Sequence, residues 1–209
     1  MEGQSIEADS FVFVVCADAQ IRGGLNARLK PLGLRRQVCK SADDFFDVVK
    51  PDSAGCVLLW LENAAADLEL LKRMDDPKKH LPVVCISAHA DMPMAVLAMK
   101  LGAIDFLDAN CTDEQLSKAM HEAFCRHALR RKEIAYAAIA RQRLSSLSEA
   151  HREVLKRIMS GLTNREIAQE LTMSERGVEE RRSKIMQTMQ AKSLAELVRQ
   201  VLAVENDGL

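Results

Sequence analysis

Pro82-Val83-Val84-Cys85-Ile86-Ser87-Ala88-His89-Ala90-Asp91-Met92-Pro93-Met94-Ala95-Val96-Leu97-Ala98-Met99-Lys100-Leu101-Gly102-Ala103-Ile104-Asp105-Phe106-Leu107 reads as strand, helix, strand. Pro82 to Ser87 is a short apolar run of strand length, Pro93 to Leu101 has a helical pattern, and Ile104 to Leu107 returns to a strand. Two strands joined by a crossover helix lie parallel in one sheet.

The same alternation extends towards the N-terminus. Phe11-Val12-Phe13-Val14-Val15 is a β-branched apolar strand, followed by a helix from Ala19 to Leu32 that ends near Gly33. Strands follow at Arg35 to Cys39 and at Gly55-Cys56-Val57-Leu58-Leu59-Trp60-Leu61, with helical patterns at Ala42 to Lys50 and Leu68 to Met74. Five strands alternating with five helices predict an α/β domain with a doubly wound, five-stranded parallel sheet. Ligand chemistry in such a sheet belongs at the carboxyl ends of the strands.

The 209 residues, 48% apolar and 28% charged, are those of an ordinary globular protein with room for two cores. A formal charge of −1 supplies no net attraction to polyanions, so nucleic-acid binding has to come from locally concentrated Lys and Arg. No apolar run approaches bilayer length and the acidic start Met1-Glu2-Gly3-Gln4 is no secretory signal, so we expect a cytoplasmic protein with no membrane partner. Six scattered cysteines, with no C-x-x-C pair and no zinc-ligand spacing, read as reduced and largely buried. No cofactor or metal motif is visible, nor any nucleophile–base pair or phosphate loop, so an enzyme is not expected.

From Thr112, an N-cap with Asp113 and Glu114 in the first turn, an apolar stripe runs through Leu116, Met120, Ala123 and Phe124 towards Ile134, Ala138 and Ile139, with no Gly or Pro. One long helix, basic in its middle, is expected to join two domains. Beyond Leu144, Ser148 caps one helix, Thr163 and Ser174 cap two more around a tight turn, and a last helix starts at Ser193. Two capped helices about a tight turn form a helix-turn-helix, with Ile167, Ala168, Leu171, Val178 and Ile185 on inward faces.

The stretch Pro82 to Leu107, and the region Gly161 to Leu194 including Met189-Gln190-Ala191-Lys192-Ser193-Leu194, resemble two-component response regulators of the FixJ/NarL type, with a receiver domain and a LuxR-type output domain. The resemblance implies a flavodoxin-like receiver over residues 11–125 after a flexible leader 1–10. It also implies a linker helix over 126–143 and a four-helix DNA-binding domain over 144–209. In that family the third strand ends on an aspartate that accepts a phosphoryl group beside a Mg²⁺ ion. Here Trp60 stands at that position. Cys16 and Ala17 stand where paired acids would hold the metal, with only Asp18 after them, and Ala109-Asn110 stand where a Lys-Pro pair would follow the last strand. Ser87 keeps a hydroxyl, and Phe106 keeps an aromatic ring at a switching position. The chain is therefore identified as an atypical, degenerate receiver that works independently of phosphorylation. Asp18 reads as a helix cap. Trp60 has three open readings: simple core packing, packing towards Ser87 and Phe106 that locks one state, or a small-molecule pocket beside it.

By the same resemblance Glu179, Glu180 and Ser183 face the DNA groove, while Arg165, Arg176, Arg181, Arg182 and Lys184 contact backbone or bases. Gly177, Glu180, Arg181 and Thr188 depart from the residues usual there. Two functions follow as expectations. One is a DNA-binding transcription regulator that forms a homodimer and recognises double-stranded promoter DNA, the receiver serving as a dimerisation and regulatory module. The alternative is a pseudo-receiver interaction protein that binds a partner kinase or regulator, with weak or no DNA binding.

Overall fold

The computed structural model describes residues 10–50, 53–62, 71–73 and 81–206. The chain divides into two compact units, Met1–Leu129 and Arg130–Leu209.

In the first unit β1 (Phe11–Val15), β2 (Arg35–Cys39), β3 (Gly55–Trp60), β4 (Val83–Ser87) and β5 (Ala103–Asp108) form one sheet in the order β2-β1-β3-β4-β5. Every pairing is parallel. This is the flavodoxin-like order, as expected, and it reverses direction between β1 and β3, which puts the switch-point crevice at the carboxyl ends of those strands. Helices α1 (Ala19–Leu29), α2 (Ala42–Val48), α3 (Met92–Lys100) and the start of α4 (Asp113–Ser145) accompany the strands. The helix expected over Leu68 to Met74 is described only at Leu71–Arg73, which are helical; its remainder, like residues 1–9 of the leader, lies outside the described residues.

The period-2 alternation of the strands sorts their side chains into two cores. Phe13, Val15, Val57, Leu59 and Cys85 pack with Phe45 of α2 and Ala98 of α3 on one face. Val12, Val14, Cys56, Leu58, Trp60 and Ile86 pack with Leu25 of α1 and Met120 of α4 on the other. Gly55 opens β3 at φ 142°, and a Cβ there would fall 1.8 Å from the Phe11 carbonyl oxygen, so this approach of two backbones requires glycine.

Helix α1 ends in a 3-10 turn, Lys30–Leu32, closed by Gly33 in the left-handed region at φ 68°, which accounts for the single helix read from the sequence. Helix α4 runs unbroken from Asp113 to Ser145. Its start carries a capping box, with the Gln115 amide N–H donating to Thr112 Oγ1 and the Thr112 N–H donating to Gln115 Oε1.

The second unit contains the end of α4, then α5 (Glu149–Met159), α6 (Asn164–Glu170), α7 (Glu175–Met189) and α8 (Leu194–Asn206) around one core. Ile167, Ala168, Val178 and Ile185 are buried in it and Leu171 packs against it, as their spacing predicts. The Thr163 capping box is complete, and the Thr163 hydroxyl, with its backbone N–H, holds the Glu166 carboxyl below its ordinary pKa. Ser148 occupies the N-cap position of α5 but makes no capping bond, because its hydroxyl pairs with His151 Nδ1 instead.

Candidate functional site

The carboxyl edge of the sheet at the switch point is built from the ends of β1, β3 and β4. Cys16, the residue after β1, is buried, and burial raises its thiol pKa, so the group is a neutral thiol. Its sulfur lies 3.4 Å from the Asp18 carbonyl oxygen. Asp18 Oδ1 accepts from the Gln20 and Ile21 amides at 2.8 Å each, which is the capping geometry read from the sequence. Arg22 donates to the carbonyl oxygens of Cys16 at 2.7 Å and of the exposed Ala17 at 2.8 Å, so a guanidinium already occupies the backbone acceptors of this loop. A hard divalent cation wants several carboxylate oxygens, and a neutral thiol, a methyl group and a carboxylate spent on a helix cap do not fit it. Among the described residues no group of three His, Cys, Asp or Glu is placed to hold a metal ion.

Trp60 is the last residue of β3 and is 8% exposed. Its ring lies with Cys16, Cys56, Leu58 and Ile86 on the α1 and α4 face. Phe106 packs against the opposite core, so the reading in which Trp60 packs towards Phe106 is corrected. The physical reason is strand parity, since Trp60 shares its side of the sheet with Leu58 and Cys56. Among the described residues the buried Trp60 Nε1 hydrogen has no acceptor. Ser87 is fully buried; its hydroxyl donates to the Leu61 carbonyl oxygen at 2.8 Å and accepts from the His89 amide at 3.2 Å, so both its functions are met within the protein.

Ala109 lies just beyond β5, and its loop is held from a direction the sequence did not announce. Arg28 of α1, with only 25% of its side chain exposed, donates to the Ala109 carbonyl at 3.2 Å and the Cys111 carbonyl at 2.6 Å. It also pairs with Asp113 at 2.8 Å. Charge-assisted bonds to three acceptors fix this loop and the start of α4 to α1.

On the second unit, α6 and α7 are joined by a turn in which Thr172 adopts φ 51°. Val178, Ile185 and Met189 face the core, which turns Arg176, Glu180, Ser183 and Gln187 outward at i, i+4, i+7 and i+11. Glu179, Ser183 and Lys184 are exposed, as is Arg165 on α6. Arg181 and Arg182 stand three and four residues after the buried Val178 and are half-buried beside the inward stripe; Arg181 reaches the Ala150 carbonyl oxygen at 3.5 Å. They flank the outward face and do not share it. Arg176 pairs with Glu180 at 3.3 Å, both well exposed, and such a pair contributes little to stability. Lys184 donates to Gln187 Oε1 at 3.3 Å. Gln187 was missed in the sequence although its i+4 spacing from Ser183 was the available signal. At the C-terminal end of α7, Arg143 donates to the Met189 carbonyl at 3.0 Å, a cation where the helix dipole favours one.

Gly177 sits beneath Met173, whose terminal methyl would lie 2.9 Å from an added Cβ. A methionine end moves cheaply, so Gly177→Ala is expected to stabilise the second unit by up to about 1 kcal/mol through helix propensity. Thermal unfolding followed by circular dichroism checks this.

The two units define a class, a receiver-type sheet domain with a helix-turn-helix domain after it. Residues 12–121 match the response regulator receiver domain family and residues 145–201 match bacterial regulatory proteins of the luxR family. The chain is 36% identical over 189 residues to the transcriptional regulatory protein FixJ of Bradyrhizobium diazoefficiens, covering 90% of this chain and 92% of that protein. It is 34% identical over 196 residues to the FixJ of Rhizobium meliloti, covering 93% and 96%. Among solved structures, the response regulator StyR superposes with a TM-score of 0.74 at 34% identity, covering 93% of this chain and 99% of that one. Full-length FixJ from B. japonicum superposes with a TM-score of 0.51 at 32% identity, covering 94% and 98%. The chain belongs to the FixJ-type response regulators, with a receiver domain and a LuxR-type DNA-binding domain. Among the described residues no helix is long and apolar enough to cross a membrane.

Proposed function

We propose that this protein is a cytoplasmic transcription regulator whose receiver works without phosphorylation, as a dimerisation and regulatory module for the DNA-binding domain. The observation that carries the reading is the buried indole of Trp60 at the carboxyl end of β3, where the family's chemistry needs a carboxylate. Beside it, Cys16 and Ala17 supply no metal-binding oxygen, Asp18 is engaged as a cap, the Ser87 hydroxyl is bonded internally, and Ala109 offers no cation. In the output domain, Glu179, Glu180 and Ser183 face the major groove with Arg176 among them. Arg165, Arg181, Arg182 and Lys184 contact the backbone on either side.

The dimer is supported by exposed apolar side chains on α3, where Val96 and Met99 are each 47% exposed. Ile134 and Ile139 of α4 are exposed as well. Untreated protein at micromolar concentration is expected to scatter light as twice the 23.2 kDa chain, and Val96→Glu to shift it towards monomer. A purely monomeric wild type counts against the dimer.

One observation favours the alternative, an interaction protein that captures a partner kinase or regulator. Glu180 neutralises Arg176 on the outward face of α7, which lowers the attraction of that face for phosphate. Selection of genomic fragments by untreated full-length protein at low salt separates the two. Recovery of a shared sequence supports the regulator, and recovery of none supports the interaction protein.

A further inference from the structure

The face of α4 turned away from the sheet carries a pair of metal-ligating side chains that neither the carboxyl edge nor the DNA-binding helix uses. Leu116, Met120 and Ala123 are buried against the sheet, so His121 and Cys125, one helical turn apart, point outward, the histidine exposed and the cysteine half-buried. The Cys125 sulfur lies 3.6 Å from His121 Nε2. Zinc bonds nitrogen at about 2.0–2.1 Å and sulfur at about 2.3 Å, and at a tetrahedral angle these lengths put the two ligand atoms about 3.6 Å apart. The metal-free contact between thiol and imidazole therefore already holds the pair at the edge length of a tetrahedral zinc site, and coordination needs only a small turn of the ring. Helical spacing presets what a zinc ion would otherwise have to gather.

We infer that His121 and Cys125 are half of a zinc site, completed by the same pair from a second copy of this chain. Ligand count requires the second copy. A structural zinc site takes four protein ligands, and among the described residues no group of three His, Cys, Asp or Glu is placed to hold a metal ion, so one chain supplies two. A two-fold axis beside α4 brings two identical pairs together as a site of two thiolates and two imidazoles, a self-complementary contact. Soft sulfur with imidazole in a tetrahedral set selects zinc over magnesium or calcium. Charge favours the same arrangement. Each thiol gives up its proton to solvent and two thiolates cancel the dication, so the neutral centre is not repelled by the exposed Lys118, three residues before His121, and can be covered without burying net charge. Glu122 and Arg126 beside the pair neutralise each other at 3.4 Å. Packing supplies the cover, because Leu129 follows Cys125 by one turn on the same face and is 60% exposed, and two copies joined here bury it. The inference shares with the dimer reading only the meeting of two copies, and it does not rest on the α3 face.

The test uses the full-length chain, reduced and freed of metal with a chelator. Titrated with Co²⁺, a spectroscopic stand-in for zinc, it is expected to develop tetrahedral ligand-field bands and a sulfur-to-cobalt charge-transfer band that saturate at one ion per two chains. Zn²⁺ should then bleach both. In Val96→Glu, expected to be monomeric without metal, Zn²⁺ should double the scattering mass and the chelator should reverse the change. Cys125→Ser and His121→Ala should each lose the bands, whereas Cys111→Ser and His151→Ala, which remove another cysteine and another histidine, should keep them. Circular dichroism of each variant verifies folding. The proposal is overturned if no sulfur-to-cobalt band appears, or if folded Cys125→Ser keeps it. It is equally overturned if saturation comes at one ion per chain with no change of mass, which is an adventitious ion only. A wild type that is monomeric in chelator and dimeric in zinc would remove the metal-free dimer proposed above and would support this inference.

Discussion

Incubated with acetyl phosphate and Mg²⁺, the protein is expected to take up no acid-labile phosphate, and Trp60→Asp is expected not to change that. Phosphoryl transfer depends on a positioned nucleophile and on charges that stabilise the transferring group. Trp60 has no nucleophilic oxygen, Cys16 is a neutral buried thiol, and the Asp18 carboxylate already accepts from two amides. Replacing the indole restores one part of several. The new carboxylate would stand among Cys56, Leu58 and Ile86, with no cation cage beside it. Removing a large buried ring costs about 3–5 kcal/mol by itself, and an unpaired buried charge adds to that. Trp60→Asp is therefore expected to be strongly destabilised as well as inert, with Trp60→Phe as the folded control. Because Trp60 is the chain's one tryptophan, its emission reports on this site alone. Buried, and without an acceptor for its Nε1 hydrogen among the described residues, it should emit at short wavelength and resist quenching by acrylamide. Acid-labile labelling of the wild type would sink this part of the account.

The second large effect concerns DNA. A near-neutral chain that binds DNA must do so through local cations, so affinity should fall steeply with salt, by about 0.9 in log K per log salt for each neutralised phosphate. A dimer should protect two half-sites about 34 Å apart, centre to centre. Arg182 flanks the outward stripe of α7, and under the proposed reading it grips a phosphate. Arg182→Ala and Lys184→Ala should each weaken binding to every sequence and flatten the salt slope by about 0.9. Glu179→Ala and Ser183→Ala should change which sequence is preferred, at about 1–3 kcal/mol for a lost base contact. Glu180→Val removes a carboxylate and releases Arg176, so binding should tighten. Filter binding across a salt series measures all of these. An unchanged slope in Arg182→Ala and Lys184→Ala would remove both residues from the phosphate contacts.

Much of the architecture was legible because local signals and long-range packing agree. Strands β1, β3 and β4 announced themselves as apolar runs, and Gly33, Thr112 and Thr163 marked helix ends whose hydrogen bonds the structure contains. The side of the sheet on which Trp60 lies was readable in principle, since it follows from alternation with Leu58 and Cys56, yet the family's switching positions suggested Phe106 instead. Arg28 was not legible. Its partners are 81 to 85 residues away, and nothing in a local pattern signals an arginine that reaches across two loops. The arginines of α7 were legible as a basic cluster, but only the buried positions Val178 and Ile185 separate the flanking Arg181 and Arg182 from the outward Arg176.

The central claim is that DNA binding in this regulator is uncoupled from phosphorylation. The most direct measurement is the affinity of the untreated full-length protein for a selected DNA site, compared with its affinity after acetyl phosphate and Mg²⁺ under the same salt. We predict sequence-specific binding of equal strength in both states. A marked tightening after treatment, or no specific binding in either state, would contradict the account.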